Sequence, residues 1–337
     1  MVKVPNSVKL TPDAMPDLIR CNDKAGWDAF VSLSPQGNVF CRSAFLDALG
    51  IDYDTWLLQE GGRALVGAVL LKGGQGGVLA APYPFSMYHG VLLSGALYAA
   101  PPHRRYKEGL TLTSILLAEL EQRYPSLSFC LHPGFDDLRA FSWFHYHRRE
   151  LGVFNISLNY TGIIDLGMPG FEAYLATIRS CKRREYRLAL KNGLTAETSN
   201  DLVVLENLYR MTFERQGATK SSEELRLLHA IAQAALENGF GEILLARLPG
   251  GEVASATLFL HDGHTGYYLI GANHPNYRNT YSGVFAFVES GRRCHARGLK
   301  QIDVCGINSP NRGDFKTSFN AVPTPYFLVN WEKGKVS

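Results

Sequence analysis

The sequence has no unbroken run of about 18 apolar residues, the length a helix needs to cross a bilayer. Its opening stretch, MVKVPNSVKLTPDAMP, holds no continuous apolar core of signal-peptide length. No membrane-spanning or secretory segment is expected, and the chain reads as a soluble cytoplasmic protein. Cysteine is sparse and scattered: the six, at 21, 41, 130, 181, 294 and 305, make no Cys-x-x-Cys pair and no Cys-His spacing suited to zinc. Reduced, mostly buried thiols are expected, with no disulfide framework and no metal site. An excess of one charge is also lacking. With 34 basic and 31 acidic residues the formal net charge is +3, so only local clustering could attract an anion. No Ser-His-Asp or Cys-His arrangement is legible, which leaves a covalent acyl-enzyme without support.

What is present is an ordinary folded composition, 46% hydrophobic and 19% charged over 337 residues. That length exceeds what one core usually serves, so two domains of about 150 to 180 residues each are expected. Short helices are predicted over 24–33 and 43–49. A hairpin turns at Gly61-Gly62, an irregular proline-rich interval holds Pro82 and Pro84, and a long helix covers about 105–123. A buried strand SLSFCLH, a helix near 135–146 and a long strand over 154–166 complete the first half. The second half repeats the order: a strand near 194–198, helices over 201–216 and 221–238, a hairpin at Pro249-Gly250-Gly251, and the strand HTGYYLIGA. A helix over 283–297 and the strands LKQIDVCG and PYFLVNWEK follow. Two related domains of the α+β class, divided as 1–165 and 166–337, account for this order.

The most distinctive stretch is Tyr174 to Lys191, YLATIRSCKRREYRLALK. As one helix it places Leu175, Ile178, Ala189 and Leu190 to one side and aligns Arg179, Arg183, Arg187 and Lys191 in a cationic row. Gly193 supplies the left-handed stop. A polyphosphate ligand, a nucleic acid, the protein's own carboxylates or plain solvent could each face that row.

The order of hairpin, strand, helix, strand, helix and strand resembles the GNAT acyltransferase fold. HPGFDDLRAFSWFHY followed by NYTGIIDL is similar to the middle of FemAB-like proteins, which carry two GNAT domains in tandem. RSCKRREYRLALKNGLTAE resembles their linker helix, and GANHPNYRNTYSGVFAFVESGRRCHARGLKQIDVCG their donor-side strand, helix and strand. DFKTSFNA resembles their Phe-Lys-x-x-Phe signature. The resemblance implies two GNAT-like domains with mixed sheets flanked by helices: 1–165 on the acceptor side, degenerate, and 166–337 on the donor side, catalytic. It implies an N-acyltransferase or aminoacyltransferase in which an acceptor amine attacks the donor directly in the cleft between the domains. The donor would be aminoacyl-tRNA or acyl-CoA, used as co-substrate with no tightly bound cofactor. The acceptor would be a small-molecule, cell-envelope or natural-product amine.

The same resemblance marks residues. Lys316, between Phe315 and Phe319, would stabilise the tetrahedral intermediate. Asp303 would orient the amine or take its proton, or else bond only to the neighbouring loop. Arg278, Tyr281, Ser282 and Gly283 would hold donor phosphate, with Ser282 as helix cap. Arg183, Arg187 and Phe315 would also line the donor side. Tyr83, Tyr88 and His89 would lie near the acceptor, with Tyr267, whose strand alternation leaves open whether it or Tyr268 faces the cleft. Two other readings remain: a non-catalytic double-GNAT binding protein, and a nucleic-acid-binding protein that uses residues 179–191.

Overall fold

The computed structural model describes residues 16–74 and 77–335. They form two compact units. The first comprises the chain up to Asp47, Ile51–Asn159, and the stretch from Tyr326 on; the second comprises Tyr160–Pro325 with Ala48–Gly50. Apart from Ala48–Gly50, the chain enters the second unit at Tyr160 and leaves it after Pro325. The last strand returns to the first unit, which a single cut does not represent.

In the first unit the chain forms β1 (Asp17–Arg20), α1 (Lys24–Leu33), α2 (Ser43–Ala48), β2 (Tyr53–Glu60), β3 (Arg63–Leu71), β4 (Val91–Leu93), α3 (Gly95–Tyr98), α4 (Pro102–Glu121), β5 (Ser126–Cys130) and α5 (Arg139–Ser142), then leaves through β6 (Asn155–Asp165). β1 to β4 make an antiparallel sheet in sequence order. Gly61 and Gly62 both have positive φ, 55° and 76°, the backbone of the two-residue turn whose twist matches its strands. α4 opens on proline, where the missing N–H costs no helical bond, and buries Leu112, Leu116, Leu117 and Leu120 at helical spacing. β5 pairs antiparallel with the later stretch Leu328–Glu332. The helix expected near 135–146 is only one turn, α5. His145 takes a left-handed φ of 54° and its Nδ1 lies 2.9 Å from the Gly152 carbonyl oxygen, so the aromatic run after Ser142 continues as turns.

The second unit holds α6 (Phe171–Thr177), α7 (Ser180–Lys191), β7 (Thr195–Ser199), α8 (Leu202–Glu214), α9 (Ser222–Glu237), β8 (Gly241–Arg247), β9 (Val253–His261), β10 (Thr265–Asn273), α10 (Ser282–Ala296), β11 (Gln301–Asp303) and α11 (Pro310–Thr317), before β12 (Val322–Glu332). Its strands run β6-β11-β10-β9-β8-β7. In this order β10 and β11 pair in parallel, and α10 makes the crossover that a parallel pair requires. α10 buries Val284, Phe285, Phe287 and Val288 in a core shared with Phe259, Tyr268 and Phe319.

Two expectations are corrected here. The stretch 174–191 is two helices, because Ile178 and Arg179 are extended, with ψ of 157° and 135°. Ile178 is buried in the core, and the Arg179 N–H donates to the Ser318 carbonyl at 2.9 Å. Tyr186, rather than Leu190, accompanies Ala189 on the buried face, and Leu190 is 47% exposed.

Candidate functional site

The candidate site is built on the turn that follows β11. Asp303 is 2% exposed, and its Oδ1 accepts from the Thr161 hydroxyl at 2.5 Å and from the Cys305 N–H at 2.7 Å. Thr161 Oγ1 in turn accepts from the Gly306 N–H at 3.0 Å. Cys305 and Gly306 both have positive φ, 52° and 91°, so the chain reverses sharply. Lys316, in the last turn of α11, donates to the Val304 carbonyl at 2.5 Å and the Gly306 carbonyl at 2.8 Å. Its ammonium also lies 5.7 Å from the centre of the Tyr268 ring. The lysine is thus fastened to the reversal that Asp303 and Thr161 hold. Burial pushes the Cys305 thiol well above its ordinary value; the Asp303 charge adds to this and Lys316 opposes it. Phe315 packs edge-on against Phe319 at 5.0 Å, with Lys182 over its ring at 5.5 Å.

Of the two neighbouring tyrosines, it is Tyr268 that lies beside Lys316. Tyr267 is buried, and its hydroxyl donates to Asp262 Oδ2 at 2.6 Å. Burial, with the charges of Asp262 and Asp303, holds that phenol well above its usual range. The placement of Tyr268 depends on Gly271, where a Cβ would lie 1.6 Å from the Tyr268 hydroxyl. A bulge between Tyr268 and Ile270 interrupts the β10–β9 ladder at the same point.

The predicted phosphate loop forms a helical turn over Pro275–Thr280, which includes Arg278, then α10. Ser282 is not its cap. Tyr281, left-handed at φ 62°, takes that position without a side-chain bond, and the Ser282 hydroxyl turns back towards the Ala254 carbonyl at 3.4 Å. The first N–H groups of α10 therefore receive no side-chain cap. Gly283 fits for a steric reason: its Cβ would lie 2.4 Å from Asn273 Oδ1.

The cationic row on α7 is redistributed. Arg179 pairs with Asp314 at 2.9 Å and Arg183 donates to the Ala176 carbonyl. Among the described residues, Arg184, Arg187 and Lys191 have no ionic partner and are exposed. Sequence spacing alone missed Arg184, Thr161 and Asn273, and left Tyr268 undecided against Tyr267. Thr161 carried a signal, since it lies in the family-like stretch NYTGIIDL.

In the first unit Tyr83 is half-buried, whereas Tyr88 and His89 are core residues, 0% and 1% exposed. Tyr88 packs edge-on against Phe40, His132 and Tyr326. His89 Nδ1 lies 3.3 Å from Ser86 Oγ, its Nε2 has no hydrogen-bond partner, and burial lowers it to about 4. Neither side chain offers an exposed polar atom to an acceptor. Among the described residues no group of three or more His, Cys, Asp or Glu side chains could hold a metal, and no helix is long and apolar enough to cross a membrane.

Residues 175–317 match the family described as an acetyltransferase (GNAT) domain. No curated protein matches the chain. The fold is similar to that of FemX, with a TM-score of 0.70 and 15% identity, covering 92% of this chain and 96% of FemX. It is also similar to a tandem GNAT protein from the clavulanic acid biosynthesis pathway, at 0.53 and 10% identity, covering 96% and 99%. The C-terminal domain of a putative lysylphosphatidylglycerol synthetase from Agrobacterium fabrum gives 0.51 and 10% identity, covering 91% and 92%. The chain thus has a tandem-GNAT fold, similar to that of FemX, and its residues 175–317 match the GNAT acetyltransferase domain family.

Proposed function

We propose that the chain is an N-acyltransferase or aminoacyltransferase in which an acceptor amine attacks an activated acyl carbonyl directly. A new C–N bond forms, the donor's ester or thioester bond breaks, and the amine's proton leaves to solvent or to the departing group. The observation that carries this reading is the Lys316 ammonium, fixed by the Val304 and Gly306 carbonyls at the end of β11 within the GNAT-matched region. A cation held in place before reaction can stabilise a developing oxyanion without reorganisation, which is where such groups contribute most. Asp303 is a positioning residue in this account. It bonds Thr161 and the Cys305 N–H, and so fixes the carbonyls on which Lys316 is anchored.

The second unit is the donor side in this proposal. The uncapped N–H groups at the start of α10, near Arg278, suit a donor phosphate. Aminoacyl-tRNA and acyl-CoA both carry one, and exposed Arg184, Arg187 and Lys191 favour the polyanionic tRNA if they take part. The deciding experiment supplies carbon-labelled acyl-CoA or labelled aminoacyl-tRNA with a small-molecule amine extract, with and without RNase. Label entering an amide product from either donor supports the proposal. RNase-insensitive transfer from acyl-CoA excludes the tRNA version, and no transfer from either donor overturns both.

A further inference from the structure

The segment after α5 explains only part of its own composition. In Asp137-Leu138-Arg139-Ala140-Phe141-Ser142-Trp143, Arg139 pairs with Asp137 at 2.7 Å and Phe141 is buried. Trp143 and Tyr146 instead remain 53% and 63% exposed. The Tyr146 N–H donates to the Trp143 carbonyl at 3.0 Å and closes a single turn through left-handed His145, which places both residues at the ends of that turn. Two large aromatic rings therefore stand exposed on one turn, Trp143 with Arg139 over its ring at 5.6 Å and Tyr146 beside His147 at 5.0 Å.

Beside them stand unpaired cations. Arg148 and Arg149 are exposed and have no ionic partner among the described residues. The Gly334 N–H donates to the Leu151 carbonyl at 3.1 Å, and the Val153 N–H donates to the Lys335 carbonyl at 3.3 Å, so the turn after β12 lies alongside this segment and brings exposed Lys333 with it. Lys335 is neutralised by Glu332 at 3.1 Å, and Glu150 adds one carboxylate. The balance is positive.

We propose that this face of the first unit docks on an anionic lipid surface, with Trp143 and Tyr146 at the headgroup level and Arg148, Arg149 and Lys333 against lipid phosphates. Indole and phenol rings are the side chains that settle at a bilayer interface, apolar body inward and polar edge wet. A few adjacent cations suffice for attraction to an anionic leaflet, each contributing roughly fivefold in affinity. The same few cations are a poor footprint for nucleic acid, where sequence-independent binding draws on many phosphate contacts. No residue of this face belongs to the acyl-transfer site proposed above.

The test uses the full chain with vesicles of 30% phosphatidylglycerol in phosphatidylcholine, vesicles of pure phosphatidylcholine, and bulk tRNA. Cosedimentation should show binding to the anionic vesicles over the neutral ones, weakened roughly 25-fold by Arg148→Ala with Arg149→Ala. Brominated lipid should quench part of the tryptophan emission, and Trp143→Phe should remove that part, since Trp27 and Trp331 are only 1% and 3% exposed and Trp56 is half-buried against Tyr124 and Arg123. Equal binding to both vesicle types, no loss in the double variant, or quenching that survives Trp143→Phe overturns the proposal. Binding of tRNA that depends on these arginines, with no vesicle binding, overturns it in favour of an RNA contact. Thermal melting of each variant confirms folding; these positions are exposed, and Arg148→Gln with Arg149→Gln gives a second route to the same measurement.

Discussion

Gly283→Ala places one methyl group at the start of α10, and the structure sets its consequence. In an open helix the change would help by up to about 1 kcal/mol, because alanine is the better helix former. Here the new Cβ meets Asn273 Oδ1 at 2.4 Å, inside any normal contact. Asn273 cannot simply retreat. Its N–H donates to Thr212 Oγ1 at 2.9 Å, and its Oδ1 accepts from the Ser255 hydroxyl at 2.9 Å. Rotating the amide away loses that bond, worth about 1 kcal/mol, and pushing the helix back incurs overpacking strain of about 1–3 kcal/mol. The net expectation is a loss of about 1–2 kcal/mol with a displaced α10 start. Chemical denaturation measures the first, and the donor Michaelis constant, which should rise, reports the second. Asn273→Ala in the same chain removes the obstructing atom and should recover the donor constant. An unchanged or higher stability together with an unchanged donor constant would refute the steric account.

Other perturbations follow from the same structure. Burial lowers His89 to about 4, below the 6.5 of the unfolded chain, so the unfolded state binds the extra proton between those values. Stability should be complete above about pH 6.5 and fall as the pH drops towards 4, by up to roughly 3 kcal/mol, and His89→Gln should flatten that limb of a melting-temperature profile. Cys181 is the exposed cysteine, while burial moves Cys41 and Cys294 up to about 12, opposed at Cys41 by hydrogen bonds and aided at Cys294 by the Glu242 charge. A thiol reagent under native conditions should therefore label Cys181 first, and Cys181→Ser should abolish the fast phase. Arg184→Ala with Arg187→Ala should raise the Michaelis constant for an aminoacyl-tRNA donor and leave that for acyl-CoA unchanged. Equal constants for both donors would mark the stripe as solvated surface.

What the sequence made legible was local. The Gly61-Gly62 turn, the long helix α4, and the strand, helix and strand order of β10, α10 and β11 are written in neighbouring residues, and the structure has each of them. The family resemblance named Lys316 and Asp303 from separate motifs, and it is the structure that sets both at the reversal after β11. The rest depended on distant partners. The break at Ile178 is made by a core and a Ser318 carbonyl far along the chain, so periodicity alone drew one helix through it. Tyr88 and His89 look like loop residues beside prolines until Phe40, His132 and Tyr326 close around Tyr88. Ser282 carries the residue type of a cap, yet a left-handed Tyr281 displaces it by one position.

The most direct test of the acyl-transfer proposal is single-turnover transfer by Lys316→Met beside the parent chain, with melting temperature measured on both. Methionine keeps most of the side-chain volume and removes the ammonium that donates to Val304 and Gly306. With the donor that supports transfer, the rate of the chemical step should fall on the order of a hundredfold or more while the chain stays folded. Near-parental turnover in a folded Lys316→Met chain would contradict the assignment of Lys316 to the reaction.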